Sequence, residues 1–293
     1  MKTSRFFRVA LLAVCLGGAS LVSASVDSTR TRVSFIPTSR LFNVSTAEVL
    51  RSLDICLSGG GAFSAESERS FLGRAAIGLG DVAEVEISTL SVLTALQHSS
   101  SSVPTSAFKM RIFGEKGNRP ALAWVLRSTT AWRDVNGPEE GIKYSTRLTR
   151  LQLVATKTIS TVALHAGAGW ADIRAKDPGG RGREPRWDGE LKRNIFSPLA
   201  GFSVQVNPRT TVMGEVEVVP RYDFSEGLEK ADEMILSAWS GVMGVRFYFA
   251  RWLSTDAGVT YRSDFAGLAD ATIRASASVV LPLGEERLRW SWN

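Results

Sequence analysis

The side chains that could do covalent chemistry are few in this chain of 293 residues. It carries two histidines, His98 and His165, and two cysteines, Cys15 and Cys56. A hydrolytic triad needs a nucleophile, a base within hydrogen-bond reach and a third group that orients the base, so His165 is a candidate base only where a serine lies beside it. Metal sites need clustered His, Cys or carboxylate ligands, and the sequence shows no such cluster. We therefore expect no enzymatic activity, no metal site and no cofactor.

Charged side chains instead recur at every second position of segments that are otherwise apolar. Glu215 and Glu217, for example, alternate with Val216 and Val218. Because successive side chains of a β-strand point to opposite faces, this period predicts strands with one apolar and one polar face. Twelve segments share the pattern: residues 52–63, 69–79, 82–95, 105–115, 120–133, 142–156, 160–174, 194–206, 210–222, 235–249, 252–263 and 270–282.

The joints between these segments favour one class of fold. Tight joints, such as Gly80-Asp81 and Asn207-Pro208-Arg209, alternate with longer polar connections, such as residues 96–104 and 175–193. This alternation is typical of transmembrane β-barrels, whose tilted strands need about 9 to 11 residues to cross the hydrocarbon. We predict an all-β fold, a closed antiparallel transmembrane β-barrel of about 12 strands. A soluble sandwich or secreted barrel is the alternative, although it does not require long connections at every second joint.

If the apolar faces contact lipid, the opposite faces line the barrel lumen. The pore-lining candidates that this parity assigns are Glu84, Glu86, Lys109, Arg111, Arg127, His165, Glu215, Glu217, Arg246, Asp256, Arg262 and Arg274. Opposite charges on neighbouring strands predict cross-strand pairs, of Glu84 and Glu86 with Lys109 and Arg111, and of Glu215 and Glu217 with Arg246, which is followed by Asp256 and Arg262 on the next segment. Two interpretations stay open: a salt-bridged, hydrated interior, or a narrow conduit whose charges select small polar or anionic solutes.

The N-terminal 24 residues have the layout of a secretory signal peptide. Lys2, Arg5 and Arg8 precede an apolar run, and small residues precede the end at Ala24. Removing this segment lowers the net charge from +6 to +3, so the basic excess no longer argues for a nucleic-acid partner. We predict a bacterial outer-membrane protein that is exported through this signal.

Residues 25–50 are predicted to form a periplasmic or plug segment ahead of a barrel over residues 51–293. Within this segment Ser45-Thr46-Ala47-Glu48 has a capping-box pattern, which predicts a short helix over residues 46–52. Cys56, the single thiol left after signal cleavage, is interpreted as a packing residue.

The connection over residues 175–193 is the most distinctive predicted surface feature. The alternation of joints places it outside the cell, as a solvated loop near anionic lipopolysaccharide or as a lid that binds a ligand or polysaccharide. Its binding candidates are Arg181, Arg183, Arg186 and Trp187.

With these features the chain resembles Gram-negative outer-membrane β-barrel proteins. Short phrases also resemble YjbH-like barrels associated with exopolysaccharide secretion, namely Ile36-Pro37-Thr38, Gly114-Glu115, Pro120 to Ala123 and Gly167 to Trp170. Barrels of this class usually end on an aromatic residue that the insertion machinery reads, whereas here Asn293 follows Trp292. Either the last strand runs through Trp292 or residues 284–293 form a tail.

The function expected from these features is a passive pore or export conduit for small or polymeric polar solutes. A non-conducting structural or surface-adhesion barrel is the alternative. The resemblance implies outer-membrane lipid, lipopolysaccharide and the barrel-insertion machinery as partners, with a polar solute or polysaccharide as a possible further one.

Overall fold

The structure, a computed structural model, describes residues 38–63, 70–88, 105–130, 132–136, 143–179, 184–185, 187–223 and 231–283. The strands are β1 (Asp54–Phe63), β2 (Ser70–Leu79), β3 (Ala83–Ser88), β4 (Thr105–Phe113), β5 (Ala121–Thr129), β6 (Arg133–Asn136), β7 (Lys143–Ile159), β8 (Val162–Lys176), β9 (Leu191–Phe196), β10 (Leu199–Asn207), β11 (Thr210–Tyr222), β12 (Ile235–Ala250), β13 (Leu253–Arg262) and β14 (Thr272–Pro282). A four-residue helix, α1 (Ala231–Met234), precedes β12. None of the helices in these ranges is long and apolar enough to span a membrane.

The strands close into an antiparallel barrel. Neighbours in the chain pair in succession, and β14 pairs with β1, with Asp54 opposite Pro282 and Phe63 opposite Ile273. Two short strands do not add to the number of strands in the ring. β6 pairs with β7 beyond the end of β5, and β9 pairs with β8 beyond the end of β10. The ring therefore has twelve strands, which confirms the predicted fold class, while residues 284–293 lie outside the described residues.

Side-chain burial alternates along the walls with apolar residues outward and polar residues inward. On β12, Met243 is 58% exposed and Phe249 is 54% exposed, whereas Arg246 between them is buried. A soluble barrel has the opposite arrangement. An apolar exterior needs lipid around it, and a sheet within lipid must close on itself to satisfy its backbone hydrogen bonds. These features are those of a transmembrane β-barrel.

The tight turns gather at one end of the barrel. Residues 80–82 join β2 to β3, and Gly80 and Asp81 have φ of 62° and 59°. These are the positive values that a type I′ turn requires at both central positions. Residues 160–161, 208–209 and 251–252 make the equivalent joints further along. The strand ends that lead into the longer connections, those of β3 and β4 and of β8 and β9, lie at the other end, as predicted.

Cysteine labelling tests the direction of insertion. We expect Asp188→Cys, on the long connection, to react with an impermeant maleimide on intact cells, and Arg209→Cys, on a tight turn, to react only after the outer membrane is permeabilised. Both variants are made with Cys56→Ser, because Cys56 is the buried free thiol of the described chain. The opposite pattern would mean that the long connections face the periplasm.

A cluster of buried apolar side chains lies at the end of the barrel where the long connections begin. It joins Tyr144 and Leu148 of β7 to Ile173 of β8, Ile195 of β9 and Met234 of α1. The prediction that the apolar faces contact lipid does not account for this cluster. These side chains come from strand ends next to the long connections, where they pack on one another instead of facing lipid.

Candidate functional site in the barrel lumen

Residues 38–47 lie inside the barrel as a small hairpin, called here the lumenal hairpin. Arg40 forms a bridge with Ser45, and the Leu41 N–H donates to the Val44 carbonyl at 3.0 Å to close the turn. Leu41, Phe42 and Val44 are each exposed by 4% or less. The barrel lumen is thus occupied by a segment of the same chain.

The helix predicted over residues 46–52 is wrong, because this stretch is irregular and extended. The Ala47 N–H donates to Thr156 Oγ1 at 2.9 Å, and the Leu50 N–H donates to a Glu84 carboxylate oxygen at 3.0 Å. Wall side chains thus satisfy backbone donors near the start of the predicted helix, where a capping box would otherwise act. The capping-box pattern is local, whereas these partners are distant in sequence.

The tip of the lumenal hairpin is held by one carboxylate. Glu215 of β11 accepts from the backbone N–H groups of Phe42 at 3.0 Å, Asn43 at 2.8 Å and Val44 at 3.0 Å. Three successive N–H groups that converge on one anion form a backbone nest. Glu215 is therefore committed to the hairpin rather than to Arg246, with which the sequence paired it.

Of the acidic residues predicted beside Arg246, Asp256 is its partner and Glu215 and Glu217 are not. The register of β11 and β12 places Arg246 opposite Thr211, whereas Glu215 lies opposite Val242. On its other side Arg246 faces Asp256 of β13, and its guanidinium donates to both carboxylate oxygens at 2.6 and 3.0 Å. The predicted pairing with Glu215 and Glu217 is corrected to Asp256. Neighbouring strands were identified properly, but the offset of about four residues along them could not be read from alternation.

A dense charge cluster lies on the opposite wall around Glu84 and Glu86. Arg74 of β2 donates to both carboxylates, at 2.7 and 2.8 Å, and Lys109 of β4 lies 3.3 Å from Glu84. Glu86 also binds Arg127 at 3.2 Å. Lys109 is thus a partner of Glu84 as expected.

Two arginines near this cluster differ from the prediction. Arg111 does not join it, and lies 3.5 Å from Glu48 instead. Arg40 of the lumenal hairpin supplies a further cation, 2.7 Å from Glu86. Arg40 lies outside every predicted strand, so parity could not have found it.

Further toward the long connections, Arg150 binds Glu217 at 2.7 Å, with side-chain exposures of 2% and 3%. Ser197, which follows β9, lies within hydrogen-bond reach of the same guanidinium. Arg150 was not among the candidate residues, although it shares the inward parity of Gln152 two positions away.

The remaining predicted lumen residues also have specific partners. Arg274 donates to the Asn43 side-chain oxygen at 2.9 Å and lies over the Phe42 ring. Arg262 binds Asp264 at 2.7 Å. Asp264 follows β13 in an irregular segment, where strand parity makes no assignment.

His165 lies within reach of two hydroxyl groups. Its Nδ1 is 2.9 Å from Thr156 Oγ1, and its Nε2 is 3.4 Å from Ser203 Oγ. The third position of a hydrolytic triad is normally a carboxylate that fixes the tautomer and stabilises the imidazolium, and here it is a threonine hydroxyl. All three side chains are also nearly fully buried. This geometry is that of a hydrogen-bonded wall histidine.

Of the binding candidates on the long connection, Arg181, Arg183 and Arg186 lie outside the described residues. Trp187 is half-buried, and its ring stacks on that of Tyr144, with centroids 5.4 Å apart and planes inclined by 7°. It therefore packs against the apolar cluster at the barrel end.

Comparison with known proteins gives matches among solved structures alone, since no family model and no curated protein matches the sequence. The chain is similar to the outer-membrane protein OmpT of Vibrio cholerae in its trimer form, with 10% identity, 78% of this chain and 98% of that chain covered, and a TM-score of 0.42. The NanC porin shows 7% identity, coverage of 78% and 100%, and a TM-score of 0.43. The translocator domain of the autotransporter NalP from Neisseria meningitidis shows 13% identity, coverage of 78% and 86%, and a TM-score of 0.39.

Proposed function

We propose that this barrel is a conduit for polar solutes across the outer membrane. The observation that carries the proposal is an inner wall that pairs several of its charges within itself, around a lumen that wall side chains alone do not fill. Arg246 with Asp256, Arg150 with Glu217 and Arg74 with Glu84 all join one strand of the ring to another. These pairs need nothing from the lumenal hairpin, so they persist when the lumen holds water or solute.

The size of the ring supports the same function. Barrels of about 8 strands are just filled by their own side chains, and those of 16 to 18 leave a wide aqueous channel. A ring of twelve lies between them, and here an added peptide segment completes the filling. Mixed charges close to the axis suit a narrow passage for small polar or anionic solutes. Passage of a polymeric solute such as a polysaccharide belongs to the same proposal.

The second candidate is a non-conducting structural or adhesion barrel. It is favoured by the filled lumen, in which the lumenal hairpin lies within the ring and the apolar cluster packs at the end near the long connections. The proposed partners, outer-membrane lipid, lipopolysaccharide and the insertion machinery, are shared by both candidates and do not separate them. We further propose that neither function involves enzymatic chemistry.

Conductance separates the two candidates. We expect the refolded full-length chain in planar bilayers to give discrete conductance steps at high applied voltage, and Glu215→Gln to give them more often, because this change removes the charge that holds the hairpin tip. Silence of both proteins, with insertion verified by protease protection of the barrel, would reject the conduit and favour the structural barrel.

A further inference from the structure

Three wall side chains bind the backbone of the lumenal hairpin. Glu215 accepts from three backbone N–H groups, and Arg246 donates to the carbonyl oxygens of Arg40 and Leu41 at 3.3 and 3.2 Å. Lys109 donates to the Ser39 carbonyl at 2.8 Å. Donors and acceptors of the wall are thus arranged around successive peptide groups, as in a peptide-binding site.

The wall is also shaped to the two apolar side chains of the hairpin tip. A Cβ atom on Gly258 of β13 would come 3.0 Å from the Phe42 ring. One on Gly244, opposite it on β12, would come 2.8 Å from the ring and 2.1 Å from the Ala257 carbonyl oxygen, so the β13 backbone also requires glycine there. A Cβ on Gly201 of β10 would come 2.6 Å from Leu41 Cδ1. The ring and the methyl group therefore occupy space that only glycine leaves free.

The path of the chain allows the hairpin to leave without threading through the barrel. Leu41 to Val44 form its tip, and from there the chain runs back to Leu50, beside Glu84, and to Ser52, whose N–H donates to Asp81 in the tight turn after β2. Thr38, on the other arm, lies beside Thr46. The tip can be withdrawn toward the tight turns while β1 stays in the ring.

We propose that Glu215, Arg246, Lys109 and the three glycines form a peptide-binding site inside the barrel, which the chain fills with its own lumenal hairpin, making this hairpin a displaceable plug. The proposal rests on the conduit function and adds the means of closing it. When the hairpin is withdrawn, Glu215 and Lys109 exchange their hydrogen bonds to its backbone for hydrogen bonds to water. The ion pairs of Arg246 with Asp256 and of Lys109 with Glu84 remain. A ligand that offers an equivalent run of peptide groups would compete for the same site.

A reversible crosslink in the full-length chain tests the plug. Leu41→Cys with Gly201→Cys, on a Cys56→Ser background, places the two thiols within reach, since Leu41 Cδ1 approaches the position of a Gly201 Cβ. We expect the oxidised protein to give no conductance steps, and the same protein to recover them when a reductant is added.

The control crosslink joins two strands of the wall. Ser58→Cys with Ser278→Cys bridges β1 and β14, whose two hydroxyl groups lie 2.9 Å apart, and its conductance should not depend on redox state. Equal conductance of the Leu41–Gly201 variant before and after reduction would overturn the plug and leave the conduit standing. Silence of the wild-type chain, of Glu215→Gln and of both reduced variants would instead reject the conduit.

Discussion

Reversing one lumenal charge, Arg246→Glu, is expected to lower the free energy of unfolding by more than the loss of an ordinary surface pair. Both oxygens of Asp256 accept from the Arg246 guanidinium, and the two side chains are 11% and 9% exposed. Removing one partner of a buried ion pair costs about 3 to 5 kcal/mol, and the new carboxylate adds repulsion from Asp256. Urea unfolding of the protein in lipid vesicles, followed by tryptophan fluorescence, measures the change.

The charge-swapped double variant identifies the partner. Arg246→Glu combined with Asp256→Arg should recover a large part of the lost stability, because an opposite pair is restored across β12 and β13. Arg246→Glu combined with Glu217→Arg should recover none of it, since Glu217 lies opposite Ser240 and binds Arg150. Rescue by the second combination alone would show that the register of β11 and β12 differs from the one described.

Among substitutions that remove a charge without reversing it, Arg150→Met is expected to cause the largest fall in the free energy of unfolding. Arg150 is the largest of the fully buried side chains, and its change leaves the Glu217 carboxylate without its cation in the barrel interior. The expected fall in the free energy of unfolding is about 3 to 5 kcal/mol, measured by the same urea titration.

Arg147→Met is the matched control for this change. Arg147 lies on the same strand three residues away, is exposed, and its substitution should alter stability by less than about 0.5 kcal/mol. Equal effects at both positions would indicate that Arg150 is hydrated in the lumen and that its pair with Glu217 contributes little. A destabilised Arg150→Met protein that regains stability with Glu217→Gln would support the interpretation that the unpaired carboxylate causes the loss.

Much of the wall was predictable because it depends on local periods. The side-chain period of two assigns Arg274 to one face and Ile273 to the other, and the structure buries the first while leaving the second 52% exposed. The tight joints at Gly80 and Asn207 were readable for the same reason, since turn residues act on their immediate neighbours. The inward position of Arg150 also follows from this rule, since it shares the parity of Gln152.

The apolar cluster shows where the period alone is insufficient. Tyr144 and Ile173 have the inward parity of polar wall residues, yet they pack on each other and on Met234 at the end of the barrel. A strand that leaves the hydrocarbon region is no longer required to place its apolar side chains outward, and the sequence does not mark where that region ends.

The sequence by itself determined the class of the protein: a twelve-stranded barrel with an apolar exterior and a charged interior, because both depend on alternation within each strand. Apart from Glu84 with Lys109, the tertiary structure decided which of the neighbouring charges meet, and it decided which residues fill the lumen. Arg246 binds Asp256 because of the offset between strands, and Glu215 binds the tip of a hairpin more than 170 residues earlier in the chain. The first contact depends on the register between adjacent strands, and the second on barrel closure, which brings distant segments together. Neither is encoded by alternation within a single strand.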